Sequence, residues 1–196
     1  WIEDAECRLV LNKNCRNTAE IFKTACSIIG KGSPLLNEIH GDVPFLRFYS
    51  TEKELKDIVE RFLEKMKKEE VTAEKIAILT ATTISNSFLN LNDIYAGFYL
   101  SEKREEGKIH FTTIRKFKGL EADAILIVDA SMIGLKSDAD RRILYVGASR
   151  AKNYLEIAMI QDIADVDMGD YIRCLNPNRV LPKNKKGLKR LFSVEI

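Results

Sequence analysis

Three short stretches hold residue types that could handle a charged ligand. In "TTIRKFKGLEADAILIVD", residues 112 to 129, two threonines and the basic Arg115 and Lys116 lead into Lys118-Gly119-Leu120-Glu121, with Asp123 two residues on and an apolar run behind it. "LNKNCRNTAEI" places Arg16 just ahead of a helical pattern, and "RRILYVGASRAKNYLEI" places Arg150 behind the small residues Gly147, Ala148 and Ser149. A guanidinium is planar and permanently charged, and its fork of donors matches a phosphate. Glycine admits a backbone close to a ligand where a side chain would block it. Glu121 and Asp123 offer either charge neutralisation or a weak E-x-D pair for a metal. Each stretch also has a plain reading. Arg16 is then a solvated residue, Lys118-Gly119 an ordinary turn, and Arg150 a cation favoured at a helix C-terminus.

The elements that must carry these residues alternate between strand and helix. "RLVL" at 8–11, "FLRFY" at 45–49, "KIAIL" at 75–79, "KIHFT" at 108–112, "AILIVD" at 124–129 and "YLEIAMI" at 154–160 read as strands. Apolar residues at 21, 22, 25, 28 and 29 predict a helix that Asn17 and Glu20 would start as a capping box. Those at 55, 58, 59, 62, 63 and 66 predict a second amphipathic helix. Residues 87–100 read as helical, and 138–153 as a helix that contains Arg150. The segment 176–196 reads as an irregular basic tail ending in a short helix. "KIAIL" and "AILIVD" lack strict alternation, as strands buried on both faces do. The pattern predicts one α/β domain over 1–196: three layers, a mainly parallel sheet with helices on both faces. In such sheets ligands bind beyond the carboxyl ends of the strands.

Composition narrows the classes. The chain has 196 residues, 45% of them hydrophobic and 31% charged, with a formal net charge of +2, which by itself selects no partner. Cys7, Cys15, Cys26 and Cys174 form no C-x-x-C pair, so zinc is not expected and reduced thiols in a cytoplasmic setting are. No apolar run is long enough to span a bilayer. No G-x-x-x-x-G-K-[ST] phosphate loop occurs, and "GKGSP" at 30–34 fails the pattern.

Taken in order, the three stretches resemble motifs IV, V and VI of the second RecA-like domain of superfamily 1 DNA helicases of the UvrD/Rep type. The resemblance implies a P-loop-type fold without its own P-loop. The ATP-binding first domain is then expected upstream of Trp1 in the same polypeptide, holding most of the ATP with its Mg2+. It implies an ATP-dependent DNA helicase in the full-length protein, with this part inactive alone, and single-stranded or partly duplex DNA as partner. Arg16 and Arg150 match the arginines that stabilise the γ-phosphate, and Gly119 and Glu121 the nucleotide-contacting part of motif V. Thr113 stands at the DNA-contacting threonine. Arg115 replaces the motif's histidine and can hold a DNA phosphate. Cys15 replaces a tyrosine that stacks on adenine, so no stacking ring is offered there. Two alternatives stand beside this reading: a non-catalytic nucleic-acid-binding module, and a nuclease using Glu121, Asp123 and Lys118 around magnesium. The basic residues of the tail, Lys183, Lys185, Lys186 and Lys189 among them, read either as a solubilising surface or as a phosphate contact.

Overall fold

The computed structural model describes residues 16–30, 39–161, 168–175, 180–182 and 184–196. The strand expected at 8–11, Cys15 and Lys183 lie outside them. Helix α1 spans Ala19–Ile28 and buries Ile21, Ala25 and Ile28. Its cap differs from the expectation. Thr18, not Asn17, accepts from the Ile21 N–H, while Glu20 accepts from the Gly41 N–H and faces His40. Asn17 is thereby released for another task. Helix α2, Glu52–Lys68, forms as its sequence dictates. Thr51 and Glu54 make a reciprocal capping box, Lys65, Lys67 and Lys68 close the last turn, and all six predicted apolar positions are buried.

Seven strands form one sheet in the order β1-β7-β6-β2-β5-β4-β3. They are β1 Phe45–Tyr49, β2 Ile76–Thr80, β3 Ile94–Tyr95, β4 Phe98–Ser101, β5 Ile109–Thr113, β6 Ala122–Ser131 and β7 Ala151–Ile160. All pairings are parallel except β3 with β4. In β6, Ile125 and Ile127 join the core beneath α1, whereas Ala124, Leu126 and Val128 join the core beneath α2. That two-sided burial explains the missing alternation.

Residues 87–100 are not helical. Ala96 (φ 48°) and Gly97 (φ 82°) form a two-residue turn that pairs Tyr95 with Phe98 and Ile94 with Tyr99. Both turn residues take the left-handed region that tight hairpins require. The aromatic and β-branched content of the segment suits strands, and Tyr95 closes the preceding loop by bonding both the N–H and the carbonyl of Asn90.

Helix α3 covers Asp138–Ala148 and stops short of the predicted end; Ala151 already belongs to β7. Helix α4, Met168–Leu175, and helix α5, Lys185–Phe192, complete the layer over α1. The tail is therefore not simply irregular. α5 buries Leu188, Leu191 and Phe192, and the segment after it covers the β1 edge, where Glu195 bonds Leu46 N–H and Pro44 O.

Candidate functional site

The register of the sheet separates the predicted residues into two groups. Thr113 lies level with Thr80 and Val128 at the carboxyl end of β5, whereas Glu121 immediately precedes β6. Seven residue steps along β6 divide those levels, about 23 Å at ~3.3 Å per residue. Because β5 and β6 are parallel, residues 114–121 must run the length of the sheet to join them. The stretch that carries both Arg115 and Glu121 is thus a crossover with one foot at each end of the sheet. Ile114 and Phe117 anchor it in the core. Phe117 lies 5.7 Å from the His110 ring, and the Arg104 guanidinium sits 6.0 Å from the Phe117 ring and donates to Glu121 O at 3.4 Å. Burial, then the Arg104 charge, pushes His110 below its usual range.

Only the first group lies beyond the carboxyl ends of the strands, where ligand binding is expected. Thr80, Thr82, Thr83, Thr113, Arg115 and Lys116 line an open groove of about 480 Å³ there. Hydroxyls, exposed cations and a turn of backbone suit the sugar-phosphate chain of a nucleic acid. Thr113 Oγ1 also accepts from Lys116 N at 3.2 Å, which fixes the turn.

Arg16, Gly119, Glu121 and Arg150 gather at the opposite end, by the amino ends of β6 and β7. Each of Glu121 and Arg150 directly precedes a strand, and this places them there. Arg16 Nε lies 3.2 Å from Glu121 Oε2, and Lys152 Nζ lies 2.6 Å from Glu121 Oε1. The hydrogen bond from Lys152, then the charges of Lys152 and Arg16, hold the Glu121 carboxyl below the usual carboxylate range, and Glu121 in turn raises Lys152. All three side chains remain over a third exposed, so solvent screens the cluster.

Arg150 sits in the two-residue reversal between α3 and β7. Its Nε is buried and has no hydrogen-bond partner among the described residues. A buried guanidinium N–H without a partner is costly, and an acceptor brought up to it would relieve that cost.

Gly119 has φ 90°, and a methyl group on it would meet nothing within 4 Å. The residue is glycine because the turn is left-handed; none of the described residues crowds it. Asp123 does not pair with Glu121 as a dyad. It faces Lys75 at 3.8 Å, while Glu121 faces the other two cations. Tyr145 packs against the core and Arg142 is exposed.

Sequence reasoning missed Lys152 and Asp129. Lys152 follows Arg150 by two residues, and the rule that charges cluster around a strand's start could have found it. Asp129 gave no such signal, because it ends a run read only as a strand. It is 6% exposed with φ 59°, beside a register shift in β6, and accepts from Tyr49, Thr80 and Ser87 hydroxyls at 2.8, 2.8 and 2.6 Å. Thr80 and Ser87 also accept from the Thr82 and Leu89 N–H groups, so the carboxylate organises the loop that lines the groove.

Residues 108–157 match the family described as the UvrD-like helicase C-terminal domain. The match runs from β5 through the crossover, β6 and α3 into β7; Arg16 lies outside it. Among solved structures, the C-terminal domain of a possible DNA helicase from Lactobacillus plantarum WCFS1 is similar in fold, at 20% identity and TM-score 0.60, covering 76% of this chain and 89% of that one. No curated protein matches the chain. Among the described residues, no helix is long and apolar enough to cross a membrane.

Proposed function

We propose that this chain is the second motor domain of an ATP-dependent DNA helicase. On this reading the amino-end cluster faces a P-loop domain across a shared nucleotide cleft, and the carboxyl-end groove carries single-stranded DNA. The observation that carries it is Arg150: a guanidinium whose Nε is buried and unsatisfied, beside Arg16, Lys152 and Glu121, within residues that match the helicase family.

Transfer of a terminal phosphoryl group spreads negative charge over its equatorial oxygens, and fixed cationic donors stabilise that charge more than the ground state. Arg150 would donate from its fixed turn. Arg16, held meanwhile by Glu121, would exchange that carboxylate for the phosphate. Glu121 would then stay with Lys152 and accept from the nucleotide's hydroxyls. The cluster's one carboxylate is already countered by two cations and fits no magnesium ion. The ion, which neutralises the leaving phosphates, is therefore assigned to the partner domain. The crossover 114–121, anchored in the core by Ile114 and Phe117, joins the two sites along the chain.

The test is steady-state ATP hydrolysis with DNA present, in the polypeptide that joins this domain to its P-loop partner. Arg150→Ala should lower kcat by about 10³-fold or more. Binding of a non-hydrolysable analogue should weaken far less. Arg150→Lys should restore little, because an ammonium lacks the planar fork. Near-normal kcat in Arg150→Ala would remove the arginine's role at the phosphate and leave it a helix-terminus cation. Absence of DNA-stimulated hydrolysis in the joined wild-type polypeptide would remove the motor reading and leave a nucleic-acid-binding module.

A further inference from the structure

We propose that Asn17 is a positioning residue that locks the two arginine-bearing turns into one rigid unit; the inference rests on the phosphate-directed reading of Arg16 and Arg150. Asn17 is 3% exposed. With Thr18 serving as the helix cap, its side-chain amide is directed away from α1, across more than 130 residues of sequence. Nδ2 donates to Ser149 O at 3.0 Å and also to Ala151 O. These are the carbonyls on either side of Arg150.

Two neighbours complete the clamp. Thr18 N donates to Lys152 O at 3.1 Å, and Ala122 N donates to Arg150 O at 3.2 Å. Four consecutive carbonyls, Ser149 to Lys152, are therefore each held by a donor from another segment. Arg150 N is tied as well, to Gly147 O at 3.1 Å. The backbone of Arg150 has no free polar group with which to rotate, yet its side-chain Nε is left unsatisfied.

The donors are not arbitrary. Asn17 follows Arg16 directly, and Ala122 follows Glu121, the carboxylate that holds Arg16. The same clamp thus fixes Arg16, Glu121 and Arg150 relative to one another. A side-chain amide suits the position because its two N–H groups can serve two carbonyls at once, which a hydroxyl cannot. A misplacement of a reacting group by about 1 Å costs on the order of 10²-fold in rate.

The test uses Asn17→Ala and Asn17→Ser with two readouts. The first is amide hydrogen exchange of Ala122 and Thr18 in this chain. Exchange at both should quicken, with β2 and β5 amides unchanged; Asn17→Ser, keeping one donor, should fall between. The second is DNA-stimulated ATP hydrolysis beside the P-loop domain. Asn17→Ala should lower kcat by on the order of 10²-fold, with little change in analogue affinity. In an Arg150→Ala background it should cost well under that, since of the two arginines it positions only Arg16 remains. Unchanged exchange overturns the clamp. A kcat loss that adds fully to that of Arg150→Ala overturns the positioning role, as does normal kcat in Asn17→Ala while Arg150→Ala is impaired. If Arg150→Ala itself is near normal, the phosphate-directed reading of Arg150 fails, and the exchange readout alone decides whether Asn17 clamps the turn.

Discussion

At the scale of single residues, Asp129 shows what a buried carboxylate needs. Tyr49 supplies both a donor to its Oδ1 and an acceptor for its N–H at 3.1 Å. Tyr49→Phe removes both at once and should cost about 1–3 kcal/mol by urea denaturation, the range for an orphaned buried polar group. Burial first, then the negative charge of Asp129, pushes the Tyr49 phenol far above its usual value of 10.0. Below pH 10 it is neutral in both states and its contribution is intact. As pH rises above 10 the unfolded chain loses this proton and the native state keeps it. Stability then falls by about 1.4 kcal/mol per pH unit from this group. Tyr95 and Tyr154 are raised too and steepen the wild-type curve. The slope of the Tyr49→Phe protein above pH 10 should therefore be shallower than wild type by about that amount; equal slopes would show that Tyr49 titrates normally. None of this was legible in the sequence, because Tyr49 and Asp129 lie 80 positions apart and meet only through strand order. Arg16, Glu121 and Arg150 were legible because their neighbours along the chain form motifs. Asn17 was misread for the complementary reason: its local pattern fits a cap, and its true partners are distant.

At the scale of elements, the junction of α3 with the sheet decides how close the arginine turn can come. The small residue Gly147 lets α3 pack closely on the sheet. A methyl group there would lie 3.0 Å from Ile127 Cδ1 on β6 and 3.1 Å from Ile114 Cδ1 on the crossover. Gly147→Val should cost about 1–3 kcal/mol, as overpacked cores do, and should displace the crossover through Ile114. The checks are the midpoint of thermal unfolding and the chemical shifts of Thr113 to Glu121. A stable variant with unmoved crossover shifts would mean that Ile127 alone absorbs the added bulk. Strands β2, β5 and β6 and helix α2 were readable because their apolar periods span whole elements. The hairpin at 94–101 was not, because its two-residue turn is made by Ala96 and Gly97 rather than by an Asn-Gly signal. The end of α3 was misplaced because the helical pattern runs on through Lys152. The Ser149 carbonyl, which would accept from Asn153 in a longer helix, is taken by Asn17, and Ala151 already pairs with Ala122 in the sheet.

At the scale of the whole molecule, the sheet keeps two charged surfaces apart. The groove residues Arg115 and Lys116 lie at the carboxyl end of β5. The basic helix α5 lies beside β1, with Lys185 Nζ 5.1 Å above the Phe48 ring and Lys189 paired to Glu195. Four strand spacings separate β5 from β1 in the sheet, about 19 Å at ~4.8 Å each. Two lysines of α5 are also already engaged, leaving Lys186 and Arg190 as its exposed cations with no ion-pair or ring partner among the described residues. These positions revise the phosphate-contact reading of the tail, since a strand in the groove would have to cross three further strands to reach it. Each single-strand phosphate contact contributes about 0.7 to the slope of log affinity against log salt. Neutralising Arg115 and Lys116 together to Gln should therefore flatten the slope by about 1.4 for a single-stranded oligonucleotide. Neutralising Lys186 and Arg190 should leave the slope as it is, because α5 serves to close the core with Leu188, Leu191 and Phe192. The measurement is equilibrium binding across a salt series for both double variants. A flattened slope in the α5 pair with an unchanged one in the groove pair would move the nucleic-acid track to the β1 edge of the sheet.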